Sequence, residues 1–444
     1  MAWPGTQAER SSMNSPEASS TDIWRALAGV EHWLQSVRVP DKGYGGPAIG
    51  RDGIAVRFCG PAYDWRLEAL FEAWAARYDA SGDERWLERI RDGLSALCAA
   101  QLPDGRFRNS YFDANPFEGG MPHEPAVLAA ACRASRQLER RGVSVQFDLS
   151  GAVERYVSQH LLRRLWNKQL QTFNNWLQSE FESYMPHAVA ACVDLLVQHG
   201  RICNEPRRFA RYIEGAVTSI LNVQIEGGPL AGGVPVSNGG TRRFVPALAA
   251  RCCLPLIRAA RVYDQPAWAA SGERVADFVL QTERRQGWLA LTEDARPGAQ
   301  AVVFPGETAD ILGVLLSCKR LGIAEVRDRV APLLQQQYPS GAFPSARGFA
   351  GFFRQRVPDW RDVMPTCAWN AKIYALLAVL SSGTGDAFRA PVDAGNGAME
   401  MPVRVRGNRA MLRDDDSCIQ IARRKGALLY RWEKGNNWAS VCRL

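Results

Sequence analysis

The sequence predicts an all-α fold, an (α/α)6 toroid of six helical hairpins with a small C-terminal β appendage, and three observations lead there. Prolines open apolar helical stretches at a regular interval, amphipathic and apolar helices alternate, and the amphipathic ones end on a recurring glutamine, glycine and aromatic pattern.

The helix openings centre on Pro61, Pro122, Pro186, Pro246, Pro305 and Pro365, whose successive separations are 61, 64, 60, 59 and 60 residues by subtraction of their numbers. Proline suits a first helical position because its missing N–H has no intrahelical acceptor there and its fixed φ is already helical. Six openings at five near-equal spacings therefore read as six copies of one unit.

Within a unit, one helix is amphipathic and the next is apolar on most faces. Trp24 to Gln35 and Trp86 to Gln101 are of the first kind, and the Trp65 to Trp74 stretch is of the second. The alternation continues through 150–171, 186–200, 205–224, 245–263, 265–281, 305–321, 325–337 and 363–382. A helix apolar nearly all round belongs inside. An inner ring of apolar helices covered by an outer amphipathic ring satisfies both kinds. An open solenoid would carry polar capping units at its ends, and the chain shows none.

The amphipathic helices end at Gln35, Gln101, Gln171, Gln224, Gln281 and Gln337, each followed by a glycine, an aromatic residue or both, as in Gln101…Gly105…Phe107 and Gln337…Gly341…Phe343. The third copy, Gln171…Phe173, lacks the glycine. The expected role is structural: glutamine bonds the free carbonyls of its helix's last turn, and glycine makes the left-handed turn. These endings, notably Gln281 to Gly287-Trp288, resemble the repeats of squalene-cyclase and protein-prenyltransferase toroids over residues 24–382. The resemblance implies terpenoid or prenyl chemistry in an aromatic cavity. The chain departs from those families: Asp414-Asp415-Asp416 lies in the tail, and no Asp/Cys/His set matches the prenyltransferase zinc site. The last unit, Asp362 to Lys372, is also similar to toroid proteins of bacterial surface-polysaccharide biosynthesis.

Four segments follow. Residues 1–22, rich in Ser, Pro, Glu and Ala, read as a disordered lead, 23–382 as the toroid, 383–398 as a linker, and 399–444 as a β-rich appendage. In the appendage, strands are expected at Val403 to Arg406, Cys418 to Ala422 and Ala427 to Trp432. The formal net charge of +8 comes from dispersed arginine, without the blocks or motifs of a nucleic-acid binder. Eleven cysteines, mostly inside apolar helical text, have no zinc spacing and read as reduced thiols of a cytoplasmic protein. No apolar run is long enough to span a bilayer, which leaves peripheral membrane association open. No cofactor or metal is expected.

In a toroid the loops entering the inner helices converge at one mouth of the central cavity, where helix N-termini favour negative charge. Polar and aromatic residues gather at these starts. The candidate catalytic carboxylates are Glu124 and Glu307, from opposite units two and five, with Asp64 and Asp310 as substitutes; glycoside hydrolysis needs one protonated and one ionised carboxyl. A lyase or epimerase would use Tyr184 or His187 as base. Substrate binding is assigned to Tyr63, His123, Trp176, Trp288, Trp360, Trp369, Asn370, Lys372 and Arg251, since aromatic faces pack on sugar rings and polar groups bond hydroxyls or carboxylates. The expected function is binding or processing of a bacterial glycan or its precursor, as hydrolase, lyase or epimerase. The alternatives are the terpenoid chemistry above and a non-catalytic interaction scaffold.

Overall fold

The computed structural model describes residues 18–39, 43–49, 56–59, 63, 65–107, 123–143, 147–175, 183–239, 243–286, 291–292, 303–347 and 365–382, and tail strands within 409–439. In chain order the helices are α1 (Ser20–Ser36), α2 (Trp65–Ser81), α3 (Arg85–Ala99), α4 (His123–Arg140), α5 (Leu149–Arg155, continued by π-helical Tyr156–Leu165), α6 (Pro186–Ile202), α7 (Ala210–Val223), α8 (Pro246–Tyr263), α9 (Pro266–Gln286), α10 (Pro305–Ser317), α11 (Ile323–Leu334) and α12 (Cys367–Ser382).

The even-numbered helices form the inner ring. Each packs on the next, α2 on α4, α4 on α6, α6 on α8, α8 on α10 and α10 on α12, and α12 closes the circle against α2. The odd-numbered helices lie outside: α3 covers α2 and α4, α7 covers α6 and α8, and α1 packs on α12. On α6 every residue from Pro186 to Gly200 is buried, as an apolar-all-round helix requires. Helices α6, α8 and α10 begin on their prolines. Helix α12 begins two residues past Pro365. Helix α1 starts at Ser20, with the Ser19 hydroxyl accepting from the Asp22 N–H, so ordered chain begins inside the stretch read as a disordered lead.

The glutamine endings do more than finish their own helix. Gln101 Nε2 donates to the Gly105 carbonyl at 2.9 Å and to Ala152 on α5 at 2.7 Å. Gln224 repeats this with Gly232 at 3.0 Å and Ser271 on α9 at 3.1 Å. Gln337 does so with Gly341 at 2.8 Å and Ala26 on α1 at 2.9 Å. For these three the expectation that glutamine serves only its own last turn is corrected: each of the three ties its turn to the next outer helix, and Gln337 ties the last unit to the first. Gln171 donates locally to the Lys168 carbonyl. The turn glycines have φ of +88°, +82° and +86° at 105, 232 and 341. A Cβ at Gly341 would sit 2.0 Å from the Gly29 carbonyl oxygen, so backbone and helix touch there. In the third unit, which lacks the turn glycine, Gln171 itself takes φ +50° and the room comes from Gly215 on α7.

The tail strands Arg409–Asp414, Ser417–Arg424, Ala427–Lys434 and Asn437–Ala439 form an antiparallel meander in sequential order. Its first strand contacts strand Val56–Cys59. The expected strand at 403–406 and the linker at 383–398 lie outside the described residues. Among the described residues no helix is long and apolar enough to cross a membrane.

Gln337→Ala removes the donor from two carbonyls at the ring closure. It is expected to lower unfolding free energy by about 1–3 kcal/mol in denaturant titration, and Gly341→Ala by more, through both its φ and the Gly29 contact. Equal stability of Gln337→Ala and wild type would remove this bond from the closure.

Candidate functional site

The inner helices enclose a cavity of about 470 Å³. Helices α2 and α8 are three steps apart in either direction around the ring and so face each other across its axis. Arg251 of α8 reaches over that axis: its Nη2 donates to both Glu68 oxygens at 2.7 Å, while Nη1 donates to Asp310 Oδ2 at 3.1 Å. Lys372 of α12 also bonds Asp310. A second chain of ion pairs lines the cavity one to two turns further along. Asp194 of α6 accepts from Arg133 of α4 and from Arg258 of α8, the latter at 2.8 Å, and Arg133 donates to Glu72 of α2 at 2.9 Å. Charges withdrawn from water persist only when paired and hydrogen-bonded, and all eight groups are so paired, Glu72 being the exposed end of its chain.

Aromatic rings stand over the first chain. The Arg251 guanidinium lies 5.0 Å from the centroid of Trp65, and Lys372 Nζ lies 5.2 Å from Trp65 and 5.6 Å from Trp369. Trp369 contacts Trp65 and Phe304 with centroid separations of 6.4 and 6.1 Å. Gly306 makes this arrangement feasible, since a Cβ there would lie 2.7 Å from the Trp369 Cα. The opening residues of α10 and α12 can approach closely only over a glycine.

Glu307 and Asp310 occupy successive turns of α10, three residues apart, which puts them on one face. Their environments separate them. Burial pushes the Glu307 carboxyl up to about 7; Lys372 and Arg243 pull the other way, and the Asp310 charge adds to the rise. Burial also acts on Asp310, but Lys372 and Arg251 outweigh it and hold that carboxyl below its ordinary value. One carboxyl is thus half protonated near neutral pH while its neighbour stays ionised. Among the described residues Glu307 has no hydrogen-bond partner, whereas Asp310 is bound by two cations.

The structure brings together five of the residues singled out from the sequence: Glu307, Asp310, Arg251, Lys372 and Trp369. His187 lines the same cavity and is buried. Others are placed elsewhere. Glu124 Oε1 accepts from the Phe107 N–H at 2.9 Å, so this carboxylate clamps the preceding glutamine–glycine–aromatic turn and does not face Glu307 across the cavity. Asn370 has the matching task in the sixth unit, accepting from Phe343 N at 2.7 Å and donating to the Phe343 carbonyl at 3.0 Å, so it clamps the turn. The Tyr184 hydroxyl donates to the Ser219 carbonyl on α7 at 2.9 Å. Tyr63 lines a separate cleft of about 160 Å³ between α2 and α3. Asp64, Trp176, Trp288 and Trp360, and the side chain of His123, lie outside the described residues.

Sequence reasoning centred on the helix openings missed Glu68, Glu72, Arg133, Asp194 and Arg258. For Asp194 the signal is a lone charge inside an apolar inner helix, Ala191-Cys192-Val193-Asp194-Leu195-Leu196. A charge so placed must meet a partner across the ring. Among the described residues no group of three or more His, Cys, Asp or Glu could hold a metal ion.

No protein-family model matches the chain, and no curated protein matches it in sequence. Solved structures do match in fold. An unsaturated glucuronyl hydrolase from Bacillus sp. GL1, described as responsible for degradation of glycosaminoglycan, superposes with a TM-score of 0.54 at 13% identity over 81% of this chain and 96% of that one. A family 76 glycoside hydrolase from Bacteroides thetaiotaomicron gives 0.52 at 10% identity over 81% and 77%. A sugar epimerase from a ruminal bacterium gives 0.50 at 11% identity over 82% and 99%. At such identities the likeness establishes the α/α-toroid fold. It does not single out the squalene-cyclase type that the glutamine repeats resemble.

The raised Glu307 pKa has a consequence for stability. A carboxyl whose folded pKa of about 7 exceeds the ordinary 4.5 of a glutamate contributes stability below about pH 4.5, and that contribution is lost as pH rises through 7. Glu307→Gln removes this dependence. Relative to wild type it should gain about 2–3 kcal/mol between pH ~4.5 and pH ~8 in denaturant titrations; parallel pH curves for the two proteins would place the Glu307 carboxyl in the ordinary range.

Proposed function

We propose that the protein is a carbohydrate-active enzyme of hydrolase or epimerase type, acting on a glycan or glycan precursor at the mouth of the inner ring. The observation that carries this reading is the split pair on α10: Glu307 keeps a proton near neutral pH, and Asp310, three residues on, stays charged. Pairs of titratable groups driven apart by their surroundings mark acid and base assignments.

In the hydrolytic version Glu307 gives its proton to the leaving oxygen of the glycosidic bond. The sugar then develops positive charge, which the fixed Asp310 carboxylate and the faces of Trp65 and Trp369 stabilise. Water completes the cleavage, returning a proton to Glu307. The tryptophan faces also give a sugar ring an apolar surface to pack on. The proteins that share the fold, two glycoside-directed hydrolases and an epimerase, support the substrate class. A prenyl substrate fits less well, because the cavity wall carries four carboxylates and four cations. The open cavity likewise gives a pure scaffold reading little support. We place the protein in bacterial polysaccharide metabolism in the cytoplasm, where free thiols such as Cys98, Cys192 and Cys252 stay reduced.

The test begins with product analysis on uronic-acid and neutral oligosaccharides and nucleotide sugars. On the substrate so found, Glu307→Gln is expected to lower kcat by about 10²–10⁴-fold with the fold intact, and kcat/KM of the wild type should decline as pH rises through about 7. Full turnover by folded Glu307→Gln would end this assignment. Trp369→Ala should raise KM more than it lowers kcat; an unchanged KM would take the tryptophan out of the binding surface.

A further inference from the structure

A pair of cysteines outside the charged cavity forms a second chemical feature. Cys253 is fully buried on α8, and Cys318 is the half-buried residue that ends α10. They are 65 positions apart in the chain, yet their sulfur atoms are 3.1 Å apart, because α8 and α10 pack side by side in the inner ring. Neither thiol takes part in the ion-pair chains, and the proposed chemistry at Glu307 has no use for them.

We propose that Cys253 and Cys318 are a reversible dithiol–disulfide site, oxidised by a low-molecular-weight disulfide of the glutathione class. Cys318 is the more accessible sulfur and attacks first. Its thiolate displaces one thiolate from the small disulfide and leaves a mixed disulfide on Cys318. Cys253 then loses its proton to the medium and attacks Cys318 Sγ, expelling the second small thiolate. The balance is two protein thiols and one small disulfide converted to one protein disulfide and two small thiols. The hydrogen bond from Cys253 holds the Cys318 thiol below its ordinary pKa against the effect of burial, and Arg320 and Arg258 act in the same direction. Thiolate character and access together select the attacking sulfur.

The bond would join the two helices that carry Arg251 and Asp310. The ring would then be held at this seam by a covalent link as well as by the Arg251–Asp310 ion pair, and oxidation would stiffen the side of the cavity on which Glu307 sits.

The experiment treats the full-length protein with oxidised glutathione, alkylates the remaining thiols, and maps peptides by mass. The expected result is loss of two of the eleven thiols, a Cys253–Cys318 cross-linked peptide, a higher Tm than the reduced protein, and reversal of all three by dithiothreitol. Cys253→Ser should stop at a glutathione adduct on Cys318, and Cys318→Ala should give neither adduct nor cross-link at this seam. Eleven thiols still alkylated after treatment, a cross-link elsewhere, or a Cys253→Ser protein without adduct on Cys318 would overturn the proposal.

Discussion

The bond from Arg251 across the ring axis to Glu68 is the constraint on which the rest of the interior depends. Six helices packed in a circle leave a cavity of about 470 Å³ between them, and α2 and α8 face each other across it. A charged pair spans it with two hydrogen bonds of 2.7 Å. Truncating one partner of such a pair strands the other in a poorly solvated place, at a penalty of about 3–5 kcal/mol. The remaining arginine nitrogen fixes Asp310, and Asp310 in turn fixes Lys372 under Trp65 and Trp369.

The same network bears on the chemistry. Burial raises the Glu307 carboxyl; Lys372 opposes that rise, and the Asp310 charge, held by two cations, adds to it. The second chain, through Asp194, Arg133, Arg258 and Glu72, keeps the far part of the cavity polar without adding a free carboxyl to it. Structure and reactivity therefore meet on α10: the axial network holds Asp310 as an anion, and burial keeps the proton on Glu307.

The fold was legible because it is periodic. Prolines near sixty-residue intervals, alternating helix types and repeated glutamine turns all report local structure, and local structure is what a sequence writes most openly. The turns hid a longer-range function: Gln337 reaches Ala26, 311 residues away, and no neighbouring residue announces that bond. The site was legible in part for the same reason. Glu307 and Trp369 stand in the first turns and Asp310 and Lys372 in the second turns of inner helices, where the fold itself points to the cavity. Glu124 and Asn370 stand there too, but the aromatic turn before each helix leaves a backbone N–H to be satisfied, and they satisfy it. Glu68 and Arg251 are 183 residues apart; only ring closure brings them together.

The most direct measurement of this account is the titration of the Glu307 carboxyl itself, by carbon-13 NMR of protein labelled at glutamate side chains, with Glu307→Gln supplying the assignment. A midpoint near 7 in the wild type, rising further when Lys372 is replaced by Met, is the predicted result. A midpoint in the ordinary glutamate range, unmoved by that replacement, would contradict the view that burial beside Asp310, opposed by Lys372, makes Glu307 a neutral-pH acid.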